Sequence, residues 1–334
     1  MATTTEPNGN RETMPYAEHD KLGPLASQTS PLHDPIELRA KLIAEFQAAV
    51  SAAKEAAASV ERSAETAVHE SRKALRRARA VLAMIAGALP KSERRAVRAA
   101  LQDARRSLSM VRDHTVAPTT LGGLDLGDED RETAKRILDS AAEALPPTAE
   151  IKQLLAEAAT RAAAQAEALV AALPPALDAS ILFAGIAETY GDARKAHRRA
   201  KSSKPWFHTW RRRAKELVYE LEFLANHAGA RLTAIHDEID AVGDTLGPAV
   251  DLIMLREFVE THGQGIGDEA VRHLRDTIDV RLEDLMRTAR KTARDAFAQK
   301  PKRFGKRLVK SVTRDLTPAD DNAREPEDID RAMD

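Results

Sequence analysis

The sequence predicts a nearly all-α protein, on three observations. Alanine and charged residues dominate, with 31% Asp, Glu, Lys and Arg and only 4% aromatics. Runs of β-branched residues are almost missing, so little competes with helix for the backbone. Apolar residues recur at i, i+3, i+4 and i+7 through most of the chain, the period of an amphipathic helix.

Each element follows from that period and its punctuation. Residues 1–34 are rich in Thr, Pro, Ser, Asn and Gly without an apolar repeat, and read as a disordered leader. Helical periodicity begins at Pro35, whose fixed φ suits a first helical turn. Helices are then expected at 35–58, 61–88, 91–115, 130–145, 148–173, 177–201, 205–228, 229–245, 247–263, 267–299 and 301–313. The breaks are chemically marked by Pro90 with Lys91-Ser92-Glu93, Gly122-Gly123, Pro146-Pro147, Pro174-Pro175, Lys204-Pro205 and Gly263 to Gly267. Residues 311–334 read as an acidic flexible tail.

Composition excludes several functions. Cysteine is absent, which removes disulfides, thiolate metal sites and a cysteine nucleophile. The N-terminus has no basic segment leading into an apolar one, so a secretory signal is not expected. Apolar stretches are too short or too broken to span a bilayer, residues 162–190 being interrupted by Glu167, Pro174, Pro175 and Asp178. A cytoplasmic location without membrane contact is the expectation.

Charge is segregated. The formal net charge is −1, yet residues 69–112 hold twelve Lys or Arg against three acids, and residues 190–215 hold ten against one. Two basic blocks inside a neutral total indicate a localised electrostatic site. Within them one register occurs twice: His69, Arg72, Lys73, Arg76 and His208, Arg211, Arg212, Lys215. Positions i, i+3, i+4 and i+7 share one narrow helical stripe, so each set aligns a histidine and three cations. Apolar residues occupy the opposite face of each helix, and Trp210 belongs with them. A single such stripe reads as a solvated helix face. Two in the same register point to a polyanionic partner, because a solvent face needs no fixed register. His69 and His208 are 139 positions apart, and Asp113 and Asp251 are 138 apart, which implies a duplicated helical unit.

These segments resemble the CHAD domain, the conserved-histidine α-helical domain. Val68-His69-Glu70-Ser71-Arg72-Lys73-Ala74-Leu75-Arg76-Arg77-Ala78-Arg79 is similar to its first signature. Phe207-His208-Thr209-Trp210-Arg211-Arg212-Arg213-Ala214-Lys215-Glu216-Leu217-Val218-Tyr219 resembles its second. Val111-Arg112-Asp113 matches the Arg-Asp element, Tyr190, Arg194, Arg198 and Arg199 resemble the basic helix preceding the second signature, and Lys300-Pro301-Lys302-Arg303-Phe304 resembles the closing segment. The chain departs from the pattern at Thr115 and Val250, where the family commonly has Asp and His.

The resemblance covers about residues 35–310, with halves at about 35–173 and 174–310. It implies two pseudo-symmetric helical bundles around a basic central groove that binds inorganic polyphosphate. The implied contacts are His69, Arg72, Lys73, Arg76, His208, Arg211, Arg212 and Lys215, supported by Arg79, Arg112, Arg194, Arg198 and Tyr219. Arg77, Arg94, Arg95, Arg98 and Arg213 are expected to be solvated. No cofactor or metal is expected, and recruitment to polyphosphate granules would follow from the ligand.

Two rivals were weighed. A nucleic-acid backbone would also suit basic stripes, but aromatic interleaving for base stacking is sparse, with only Trp206, Phe207 and Tyr219 nearby. A phosphohydrolase, or an accessory module to one, would need convergent carboxylates for a divalent metal, and the stripes contain none. Glu220-Leu221-Glu222 is the nearest approach to the alternating glutamates of the family's companion triphosphatase, and reads as surface charge. Asp113 and Asp251 are expected to cap helices or pair with a stripe arginine. A non-catalytic protein is the expectation.

Overall fold

The computed structural model describes Leu32, residues 34–200, Ser203, residues 205–228 and residues 231–315. The expected leader lies almost wholly outside the described residues, as does the expected tail beyond residue 315. Among the described residues every regular element is helical. They are α1 (Pro35–Ala58), α2 (Ala64–Met84), a single 3-10 turn (Ala86–Ala88), α3 (Lys91–Ser107), α4 (Ser109–Gly122), α5 (Asp128–Ala142) and α6 (Thr148–Ala172). There follow α7 (Ala179–Arg199), α8 (Pro205–Ala228), α9 (Arg231–His262), α10 (Asp268–Ala296) and α11 (Pro301–Asp315).

Several boundaries are set by side-chain caps, which satisfy backbone donors a helix start leaves open. Asp34 accepts from the amides of Ile36 at 2.8 Å and Glu37 at 3.2 Å. Ser63 Oγ accepts from Thr66 N at 3.1 Å, which starts α2 three residues later than the periodicity suggested. Asp178 opens α7 through Ser180 N at 2.7 Å.

Two expected elements differ in number. The helix expected over 91–115 is two, broken at Leu108, whose side chain is fully buried. The helices expected at 229–245 and 247–263 are one. Pro248 removes a backbone donor there, but Leu246, Ala249, Val250 and Leu252 are buried on either side and hold α9 continuous through it.

One hydrophobic cluster extends from Leu32 to Val312. Helices α1, α2, α3 and α6 pack together, and α7, α8, α9 and α10 form a second group with α11 across α7 and α9. Helices α4 and α5 leave the first group to pack on α9 and α10. The two groups therefore share a core, and α2 meets α8 at the junction.

Close approach fixes how α7 crosses the end of α2. A Cβ on Gly185 would lie 2.5 Å from the Met84 carbonyl oxygen and 2.7 Å from that of Ala83. Further along α7, near its middle, Tyr190 stacks on Phe304 with ring centroids 3.9 Å apart. Its hydroxyl donates to the Ala296 carbonyl at 3.0 Å, and burial pushes its pKa up to about 12.

Candidate functional site

At the α2–α8 junction, cations of α2 and α8 lie within electrostatic reach of cations of α3 and α4. Arg72 and Arg76 come from α2, Arg98 and Arg105 from α3, Arg112 from α4, and His208, Arg211 and Arg212 from α8. Their mutual influence shows how closely they are gathered. Arg72 is pushed down to about 9 by burial and then by Arg105, Arg112 and Arg76, against an opposing pull from Asp113. Arg105 falls to about 10 through burial, then Arg79, Arg212 and Arg76. Burial also lowers Arg211, with Asp251 opposing and Arg76 and Arg112 adding to the drop. Arg212 falls through burial, opposed by Glu216 and assisted by Arg213 and Arg79. Arg72 and Arg105 still carry a proton at neutral pH, so the cluster is strongly positive.

Several of these guanidinium groups have committed donors. At the Leu108 break the carbonyl of Arg105 accepts from Arg72 Nη1 at 2.9 Å, and Ser109 Oγ accepts from the same nitrogen at 3.1 Å. Other donors have no partner: Nε of Arg76, Arg105, Arg211 and Arg212 is buried without a hydrogen bond. A buried N–H left unsatisfied costs about 1–3 kcal/mol, and more on a charged group. Four such donors from three helices form a strained electrostatic arrangement that an anion would relieve.

Beneath the cluster lies an internal ion network. Arg79, 4% exposed, donates to Glu216 at 2.7 Å. Arg213 donates to the other oxygen of Glu216 at 2.7 Å and reaches Asp192 at 2.7 Å. Burial would push the Glu216 carboxyl up, but Arg213 and Arg79 outweigh it and hold the group below its usual range. Arg79 is thus a core cation and not an anion contact. Arg213 is equally buried and paired, contrary to its expected solvation. Arg77, also expected to be solvated, bonds both oxygens of Glu222 at 3.1 Å and lies over the Tyr219 ring. Glu220-Leu221-Glu222 is therefore not surface charge. Glu222 is in that pair, and Glu220 is fully buried with Thr189 donating to it at 2.8 Å.

The other expected contacts divide. His208 is half-buried beside the cluster. Its pKa is lowered by burial, raised by Glu257, and lowered again by Arg211 and Arg112. Tyr219 also acts on Arg211. Arg112 is held by Asp113 at 3.1 Å and Asp251 at 2.5 Å, so both aspartates pair with a cation. His69 is exposed and Lys73 half-exposed near Glu70, Lys73 Nζ lying 3.6 Å from it. Lys215 crosses Gly243 of α9 and bonds Asp240 at 2.8 Å and Asp244 at 3.2 Å, which turns it from the cluster towards α9. Arg194 Nε donates to the Phe297 carbonyl at 3.0 Å and ties α7 to the end of α10. Arg198 is exposed on α7. The structure does not bring Arg194 or Arg198 to the cluster.

Stripe reasoning missed α3. Arg105 went unnoticed and Arg98 was assigned to solvent, yet Arg98 is half-buried, its pKa lowered by burial and by Arg213, Arg79 and Arg212. A sequence signal existed: Lys91, Arg98, Arg105 and Arg112 recur every seven residues. That spacing keeps them on one face across the α3–α4 break.

The fold and site define an all-helical protein whose central helices face each other across a layer of cations. A family model described as the CHAD domain matches residues 44–260. The chain belongs to the CHAD domain family. Its structure is similar to a crystal structure of the CHAD domain from the plant Ricinus communis, with a TM-score of 0.61 and 17% identity. The match covers 78% of this chain and 91% of that one. No curated protein matches. Helices α10 and α11 lie beyond the family match but belong to the same hydrophobic cluster. Among the described residues no helix is long and apolar enough to cross a membrane.

Proposed function

We propose that the central cations bind inorganic polyphosphate without catalysis, in a groove between α2 and α8 walled by α3 and α4. The observation that carries this reading is the set of four buried, unpartnered Nε donors on Arg76, Arg105, Arg211 and Arg212. The four arginines come from three helices, and their charges act on one another. Guanidinium forks match phosphate oxygens in two-point contacts, and a linear polyanion can meet several at once. The CHAD family resemblance implies the same ligand. In this reading α2 and α8 are equivalent helices of a duplicated unit, and binding to polyphosphate recruits the protein to granules. Asp113 and Asp251 are engaged by Arg112, so they serve to position that cation and not to hold a catalytic metal.

Competition tests the reading. A labelled polyphosphate chain bound to the protein should resist displacement by a single-stranded oligonucleotide at equal phosphate concentration. Displacement by the oligonucleotide at equal or lower concentration would favour a nucleic-acid backbone instead. Steady release of short phosphates from the chain by the purified protein would contradict a purely binding role.

A further inference from the structure

A second cationic site lies on the other side of α8. A cavity of about 370 Å³ between α7 and α10 is lined by His197, Arg287, Arg290, Lys291 and Arg294. The four α10 cations stand at i, i+3, i+4 and i+7, the same register as the sequence stripes. Like charges at that spacing oppose helix formation by a few tenths of a kcal/mol per pair, so folding alone does not favour them.

The cavity has a fixed floor and an exposed rim. Arg290 donates from Nη2 to the Ala200 carbonyl at 3.0 Å, and its guanidinium lies 5.2 Å from the Phe207 ring centroid. Its Nε is buried with no hydrogen-bond partner. His197 is held by ring contact with Trp210 at 4.7 Å and Phe297 at 5.9 Å. At the rim, Arg287 reaches Asp284 at 2.7 Å. Lys291 and Arg294 are exposed and make no ion pair with the described residues.

Helix α8 separates this cavity from the central cluster. Trp210 packs on His197 on the cavity side of α8, while His208, two residues earlier on the helix, projects from the other side towards Arg112. The charges that dominate around Arg72, Arg105, Arg211 and Arg212 come from other helices than α10.

We propose that the α7–α10 cavity is a separate anion site that takes a compact oligophosphate. The fixed Arg290 would hold one phosphate, and the long rim cations would meet its neighbours. The site does not depend on the central groove binding a polymer.

Calorimetric titration of the full chain with tripolyphosphate tests it. The double variant Lys291→Gln, Arg294→Gln changes only exposed side chains, and an unchanged melting curve would confirm its fold. It is expected to weaken one class of binding by ~10-fold or more and leave the central class intact. Arg76→Ala with Arg211→Ala should do the reverse. In the wild type, tripolyphosphate should slow phenylglyoxal modification of Arg294. Wild-type affinity and stoichiometry in the α10 variant, with Arg294 modified at the same rate with and without ligand, would overturn the proposal. Loss of binding in the central variant alone would do the same while leaving the groove reading in place. Loss in the α10 variant alone would remove the groove and keep the cavity.

Discussion

Two buried carboxylates and one half-buried imidazole show how the cation cluster is held and how it should respond to pH. Glu216 sits between Arg79 and Arg213, and removing one member leaves uncompensated charge in the core. Arg79→Met is expected to cost about 3–5 kcal/mol, measured by denaturant unfolding. A loss below ~1 kcal/mol would mean that Arg79 is not part of a buried pair. Glu220 behaves differently. Burial pushes its carboxyl well above the usual carboxylate range, with the Thr189 hydrogen bond only partly opposing. A raised pKa means the folded state keeps a proton the unfolded state releases, so stability falls as pH rises above the ordinary carboxylate value. Glu220→Gln should therefore gain stability relative to wild type as pH rises above the ordinary carboxylate value, and parallel pH profiles would refute the assignment. His208 has a pKa lowered mainly by burial. Without ligand this makes folding less favourable as pH drops below the ordinary histidine value. A bound phosphate favours the imidazolium, so affinity should climb as pH falls from ~7 to ~5.5. The climb should vanish in His208→Gln, and an unchanged pH profile in that variant would remove His208 from the site.

At the scale of helices, periodicity and punctuation were enough to locate most elements, because each amphipathic face is matched to a buried one. Residues 35–58, 148–173 and 205–228 were readable to within a residue for that reason. The errors came where tertiary contact outweighs local preference. The break at Leu108 had only a weak local signal, the serines at 107 and 109, of which Ser107 Oγ donates to the Ala104 carbonyl, and Arg72 of α2 donates to the Arg105 carbonyl beside it. The helices expected at 229–245 and 247–263 are one, carried through Pro248 by buried neighbours. The stripes located α2 and α8 correctly, yet a helical wheel cannot tell a cation facing solvent from one meeting an acid of a distant helix. Arg79, Arg213 and Lys215 were misread on that account, because Arg79 meets Glu216 of α8, Arg213 meets Asp192 of α7 as well as Glu216, and Lys215 meets Asp240 and Asp244 of α9. The α3 cations were missed because a seven-residue row looks weaker than an i, i+3, i+4, i+7 cluster. The crossing of α7 over α2 is the most sensitive packing contact. Gly185→Ala would drive a methyl into two backbone carbonyls that cannot rotate away, and should cost about 1–3 kcal/mol in thermal unfolding. A neutral effect would show that the crossing can relax.

For the whole molecule, a near-neutral total charge conceals a concentrated positive seam. Binding there should be governed by displaced counterions, so affinity for a long phosphate chain is expected to fall about 10- to 100-fold between ~50 and ~200 mM salt. A flat dependence would argue against contact with several phosphates. The sharing of one core between the helix groups, through α4 and α5 packed on α9 and α10, also predicts a single cooperative unfolding transition. The most direct test is titration with phosphate chains of increasing length, comparing wild type with the Arg76→Ala, Arg211→Ala double variant at one salt concentration. Two lost charge-assisted contacts at ~1.5–3 kcal/mol each should weaken long-chain binding by ~100-fold or more. Full wild-type affinity in the double variant, at every chain length, would contradict a polyphosphate site at the α2–α8 junction.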